Sequence, residues 1–150
     1  MTDKPLTGGC QCGAVRFAVA GELRHGGVCH CRMCQKAFGA FYAPLVVVEG
    51  VTWTRGAPAH FRSSNIAQRG FCRDCGTPLT YEPDEGDVEL AIGAFDEPAR
   101  VRPVIQVGVE SRIPWLSELD ALPIHAGGGA EDGAPERPAI RSLQHPDHDT

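Results

Sequence analysis

The chain has 150 residues, 42% hydrophobic and 22% charged, enough apolar content for about one domain with its own core and too much for a collagen-like or wholly disordered chain. Fourteen Lys and Arg against nineteen Asp and Glu leave a net charge of -5, which offers little attraction to a phosphate backbone, so nucleic acid is not an expected partner. The longest uncharged apolar stretch, residues 40–48, is nine residues long and contains Pro44, whereas a membrane helix needs about 20, and no membrane partner is expected.

In chain order, the first residues show neither a basic-then-apolar leader nor an Arg-rich amphipathic pattern, which sets the expectation of a cytoplasmic protein. Val15, Phe17 and Val19 alternate with Arg16 and Ala18 as in a half-buried strand. A helical turn is predicted near Lys36 and Ala37. Residues 41–48 form an apolar run of β-formers, residues 51–54 a short strand, Val88, Leu90 and Ile92 an alternating one, and residues 104–109 another. Glycines and prolines, among them Gly21, Gly50, Gly56, Pro58, Pro83, Gly86, Pro98 and Pro103, punctuate these segments as turn residues. A second helical turn fits Ser117 to Leu119. Trp53 and Trp115 read as core aromatics, since neither sits in a basic run.

The fold expected is therefore mainly β with short helical turns, in one domain over residues 1–125. Residues 126–150 are rich in Gly and Pro, contain only Ile140 and Leu143 as large aliphatics, and carry five acids against Arg137 and Arg141. They are expected to form a loose acidic tail that buries too little to offset its ordering entropy.

Seven cysteines in a chain read as cytoplasmic are poor material for disulfides, because thiols stay reduced there and an odd count leaves one unpaired. Metal ligation is the alternative. The cysteines fall in three clusters: Cys10-Gln11-Cys12, Cys29-His30-Cys31-Arg32-Met33-Cys34, and Cys72-Arg73-Asp74-Cys75. Gly13 and Gly76 follow the first and last clusters and permit the tight backbone of a metal knuckle. Four thiolates from Cys10, Cys12, Cys72 and Cys75 would close a structural zinc site, leaving Cys29, Cys31 and Cys34 to hold a second zinc with an open position. Spacing equally allows Cys31 and Cys34 to join Cys72 and Cys75, with Cys10, Cys12 and Cys29 as the open trio, or one zinc beside three spare thiols. His30 lies between two of these cysteines and would project to the opposite face of an extended segment, where local hydrogen bonding is expected.

The segments Gly8-Gly9-Cys10-Gln11-Cys12-Gly13-Ala14-Val15-Arg16-Phe17, Cys29 to Cys34, Ser63-Ser64 with Arg69-Gly70-Phe71-Cys72-Arg73-Asp74-Cys75-Gly76-Thr77-Pro78-Leu79, and Pro114-Trp115 with Asp120 and Leu122-Pro123 resemble the glutathione-dependent formaldehyde-activating enzyme family, which includes the centromere protein V domain. The resemblance runs from about Leu6 to Pro123. It implies a β-tent of small antiparallel sheets around a structural zinc on Cys10, Cys12, Cys72 and Cys75, with a catalytic zinc on Cys29, Cys31 and Cys34. It further implies a carbon–sulfur lyase or thiol-adduct chemistry such as the condensation of formaldehyde with glutathione, with a small thiol or thiol adduct as partner. Many relatives have a histidine where Gln106 aligns; an imidazole can carry a proton near neutral pH and an amide cannot.

Ser63, Ser64 and Arg69 are candidate contacts for a substrate carboxylate, although turn hydrogen bonding alone accounts for the serines. Arg32 and Lys36 flank the open cluster and could meet the same group or stabilise thiolate charge. Two rival functions are a non-enzymatic zinc module that docks proteins, which would need an exposed apolar patch or charged arm, and a methionine-R-sulfoxide reductase. The latter needs a nucleophilic cysteine on the C-terminal side, and none follows Cys75.

Overall fold

The computed structural model describes residues 4–124 and 139–150. In chain order the elements are β1 (Leu6–Gly9), β2 (Arg16–Val19), β3 (Leu23–Cys29), α1 (Arg32–Phe38), β4 (Ala43–Val48), β5 (Thr52–Arg55), β6 (Ala59–Arg62), β7 (Ala67–Phe71), β8 (Pro78–Pro83), β9 (Glu89–Ala91) and β10 (Ile105–Val107). The mainly β expectation holds, with one short α-helix, three single 3-10 turns and a longer 3-10 segment at Pro114–Ala121 among the described residues. No helix among the described residues is long and apolar enough to cross a membrane.

The strands make two sheets, one in the order β1-β2-β5 and one in the order β10-β3-β4-β9-β8-β7-β6. All pairs are antiparallel except β10 with β3, which are parallel. Alternation along β4 explains how the larger sheet serves two purposes, because successive side chains leave a strand on opposite faces. Val46 and Val48 join Phe17, Leu79 and Leu90 in the main core. Ala43 and Leu45 point the other way, into a smaller cluster with Cys34, and Phe38 and Tyr81 pack against it. Phe17, fully buried, meets Phe95 edge-on with ring centres 5.1 Å apart and Trp53 at 6.0 Å. Trp115 departs from expectation: it is 45% exposed and stacks edge-on against the exposed Phe41 at 4.9 Å, because its 3-10 turn buries no residue.

Register sets the second face. Opposed residues in a ladder share a face, and the pairs Val47↔Glu89, Glu89↔Tyr81, Tyr81↔Arg69 and Arg69↔Phe61 run as one row across β4, β9, β8, β7 and β6. This row lies under α1 and carries the polar groups described below.

Of the expected tail, residues 126–138 lie outside the described residues. Residues 139–150 carry backbone contacts to the body: the His145 N–H donates to the Gln11 carbonyl at 2.7 Å, and the His148 carbonyl accepts from Arg16 at 3.2 Å. Arg55 donates to the Thr150 carbonyl at 2.9 Å.

Candidate metal centres and substrate cavity

Cys10 and Cys12 follow β1, and Cys72 and Cys75 lie in the turn from β7 to β8, so their meeting joins the small sheet to the large one. Glycines at φ +79 (Gly13) and φ +77 (Gly76) turn both knuckles in a region that side chains with a Cβ rarely adopt. Cys10 and Cys12 sulfurs are 3.5 Å apart, Cys12 and Cys72 sulfurs 3.8 Å apart, and all four sulfurs lie within 4.8 Å of one another. A tetrahedral ion with Zn–S bonds of about 2.3 Å spaces its sulfurs about 3.8 Å apart, so this donor set fits zinc.

The knuckles are stitched to each other. The Gln11 N–H donates to the Thr77 hydroxyl at 3.0 Å, which frees the hydroxyl proton for Cys75 Sγ at 3.1 Å. The Val15 N–H donates to Cys10 Sγ at 3.2 Å. Burial alone would raise Cys75, but the Thr77 hydroxyl and backbone N–H outweigh it and bring the thiol down to about 6. Backbone donors aimed at sulfur favour thiolate, the form that ligates metal.

The second cluster spans a strand end and a helix start. Cys29 closes β3, Cys31 caps α1 by accepting the Cys34 N–H at 3.4 Å, and Cys34 sits in the first turn. The three sulfurs lie within 4.8 Å of one another, and the metal-binding groups among the described residues offer them no fourth His, Cys, Asp or Glu. Three soft donors and an open position suit an exchangeable zinc. Cys31 is lowered: burial would raise it, but the backbone N–H of Cys34 and the neighbouring thiols prevail. Burial pushes Cys34 up to about 12 even though Arg69 opposes it, so the full trio ionises only with a cation in its midst.

Arg69, 8% exposed, donates from Nη2 to Cys34 Sγ at 3.3 Å and lays its guanidinium 4.9 Å from the centre of the Tyr81 ring. Its Nε and Nη1 are buried without a partner. A cavity of about 190 Å³ opens on the three thiols, lined also by Arg69, Tyr81 and Glu89. A neighbouring cavity of about 270 Å³ is lined by Met33, Lys36, Phe61, Ser63 and Arg69. Arg69 is thus shared by both. Burial raises Tyr81 and Glu89 above their ordinary values, with Arg69 opposing in each case.

The remaining sequence candidates fall as follows. Ser63 and Ser64 are occupied by turn bonds, Ser63 Oγ donating to the Ala67 carbonyl at 3.4 Å and Ser64 Oγ accepting the Ile66 N–H at 3.3 Å. Arg32 pairs with the Gln35 side-chain oxygen. His30 is 1% exposed; its Nε2 meets Gln106 Oε1 at 2.9 Å and its ring stands edge-on to Tyr42. Gln106 is therefore bound to His30. Tyr81 and Glu89 escaped the sequence reading, as did Gln35, whose buried amide donates to the carbonyls of His30 at 2.6 Å and Ser111 at 3.0 Å and so ties α1 to the loop after β10.

A crystal structure of a Rhodobacter sphaeroides protein matches with a TM-score of 0.52 and 23% identity, covering 67% of this chain and 99% of that one, which supports the fold. The family profile of the glutathione-dependent formaldehyde-activating enzymes matches residues 5–111, a span that contains all seven cysteines, both knuckles and the row of polar residues under α1. The chain belongs to the glutathione-dependent formaldehyde-activating enzyme family.

Proposed function

We propose that this chain is a zinc-dependent carbon–sulfur lyase or thiol-adduct enzyme that forms or cleaves the C–S bond of a small hydroxymethyl thiol, with glutathione as the first candidate thiol. The observation that carries the reading is the convergence of Cys29, Cys31 and Cys34 on the wall of a cavity that Arg69 also lines. Cys10, Cys12, Cys72 and Cys75 hold the structural zinc in this reading, and Cys29, Cys31 and Cys34 the working one. Zinc held by three thiolates supplies a Lewis acid and lowers the cost of a thiolate at the reacting carbon.

The chain's own residues position the rest. Arg69, braced by Tyr81, holds Cys34 through one N–H and keeps unpartnered N–H groups beside the cavities for an anionic group of the substrate. Lys36 and Ser63 line the adjoining cavity, where the carboxylate of a thiol such as glutathione would lie, and Ser64 shapes the turn that presents Ser63. Residues 1–125 form the zinc domain and 126–150 an appended tail. The seven reduced thiols suit a reducing compartment, the cytoplasm.

One observation favours a second reading, a zinc module that docks another protein: the exposed Phe41 and Trp115 pair offers an apolar contact patch. Zinc per chain, thiol titration and turnover of a formaldehyde–glutathione mixture separate the two. The enzyme reading expects two zinc ions, no freely reactive thiol, and a Cys34→Ser variant that stays folded, loses one zinc and loses at least about tenfold in turnover. One zinc, three reactive thiols and no turnover of any small thiol adduct would favour the docking module.

A further inference from the structure

We propose that Glu89 is a catalytic residue of this cavity, the base that takes the hydroxyl proton of a hydroxymethyl thiol as its C–S bond breaks. This rests on the lyase reading of the open thiol site. Glu89 begins β9, paired with Val47 of β4 on one side and Tyr81 of β8 on the other, so it stands in the interior of the large sheet. It is the only carboxylate lining the cavity on which Cys29, Cys31 and Cys34 open. Its carboxylate makes no side-chain hydrogen bond or salt bridge among the described residues, whereas Glu82 on the neighbouring strand is held by His60, Gln68 and Thr80. Glu89 is partly buried and lines the cavity, so its carboxylate is free to accept from a ligand there.

The other groups facing the cavity are unsuited to the task. Arg69, from β7, is a permanent cation already bound to Cys34 and stacked on Tyr81. Tyr81, from β8, is held protonated by burial. The thiols of β3 and α1 are the metal donors. His30 does not line the cavity and turns its Nε2 to Gln106. Only Glu89 can both lose and gain a proton beside the reacting atoms. Burial raises its pKa above the ordinary carboxylate value although Arg69 opposes it, the direction that favours a general base.

The step balances for R–S–CH2–OH going to thiol and formaldehyde. The carboxylate of Glu89 removes the hydroxyl proton, the O–H electron pair forms the second C–O bond, and the C–S pair leaves on sulfur as thiolate. The proton returns to sulfur or to water, regenerating the carboxylate. In condensation the carboxyl form of Glu89 protonates the carbonyl oxygen as the thiolate attacks carbon. No oxidant or co-reactant is needed.

The test uses zinc-loaded wild type, Glu89→Gln and Glu89→Asp with formaldehyde and glutathione, following exchange by NMR against pH and measuring zinc per chain in parallel. Glu89→Gln should lower kcat by about 10²-fold, the lower range for general acid–base groups, with zinc content unchanged and the acidic limb of kcat/KM abolished. Glu89→Asp should keep the limb and recover part of the rate. A Glu89→Gln kcat within about threefold of wild type, or an acidic limb that persists unmoved, overturns the assignment. If Glu89→Gln does not fold, Glu89→Ala decides in the same way: a kcat within about threefold of wild type with an unmoved acidic limb overturns it. Wild type that turns over no adduct sinks the lyase reading and this one together, whereas active wild type with an indifferent Glu89→Gln sinks this one alone.

Discussion

Replacing Cys72 by serine tests whether the four-cysteine knuckle holds the two sheets together. Cys72 is fully buried, and its sulfur lies 3.8 Å from that of Cys12, which is 60 positions earlier in the chain. A cross-link closing a loop of that length lowers the entropy of the unfolded chain enough to stabilise the fold by about 4 kcal/mol. The total for an ordinary domain is only about 5–15 kcal/mol. Serine seldom ligates zinc, so Cys72→Ser forfeits most of that link and leaves three sulfurs crowded without a cation. The main core crosses the same junction, with Phe17 on the small sheet packed among Leu79 and Leu90 of the large one, so loss should spread to both sheets. Urea unfolding followed by tryptophan fluorescence, with zinc measured in the same samples, should show a loss of at least about 3 kcal/mol or no cooperative transition at all. A variant that unfolds within about 1 kcal/mol of wild type and keeps its full zinc complement would refute the assignment of a structural ion to this knuckle.

Asp96→Asn should cost about 3–5 kcal/mol, because it breaks a buried pair in which Asp96 accepts from both Arg16 Nη groups, at 2.9 and 2.5 Å, and from the Thr7 hydroxyl at 2.6 Å. Burial would raise the Asp96 carboxyl, but Arg16 and Thr7 outweigh it and hold it below the usual range. Its stabilisation is thus complete above the unfolded value of about 3.9 and fades as pH falls through the lower folded value; an acid titration of the variant should lack this component. Gln106→His should raise turnover of the glutathione adduct if proton transfer at that position limits the rate, and an unchanged kcat would exclude it. A chain ended after Ile124 loses the bonds from Arg16 and Arg55 to residues 148 and 150 and the His145 contact with Gln11. Its stability should fall by about 1–2 kcal/mol, and zinc loaded on the four-cysteine knuckle should be stripped faster by a chelator; identical release kinetics would show that residues 139–150 give the knuckle no protection.

The parts of this molecule legible in the sequence are those fixed by local chemistry. CxC and CxxC spacings with Gly13 and Gly76 announce candidate metal knuckles because sulfur geometry and positive φ act over a few residues. The alternation of β2 and the apolar run of β4 announce strands for the same reason. Which knuckle meets which was open from spacing alone, since it depends on pairing between distant strands. β3, with the sequence Leu-Arg-His-Gly-Gly-Val-Cys, has a weak local signal; it is held by register with β4 on one edge and β10 on the other. Composition sets the expectation of a loose tail, and it does not register backbone bonds such as that from the His145 N–H to the Gln11 carbonyl.

The most informative illegible residue is Glu89. In the alternating run of Val88, Leu90 and Ile92 it occupies the polar phase, which in a two-layer protein means the solvent side. Here the face opposite the main core is covered by α1 and the Cys29–Cys34 loop, so the polar phase of β9, β8 and β7 delivers Glu89, Tyr81 and Arg69 to the thiol cavity. Covering that face requires the short helix to start at Cys31, whose sulfur caps it, and Gln35 to fasten it to the loops on either side. The cluster that gathers the candidate ligands is thereby the same element that converts an ordinary row of outward polar side chains into the wall of a candidate active site. An outward-facing residue becomes a functional candidate only when tertiary structure supplies the second wall, and neither periodicity nor propensity contains that information.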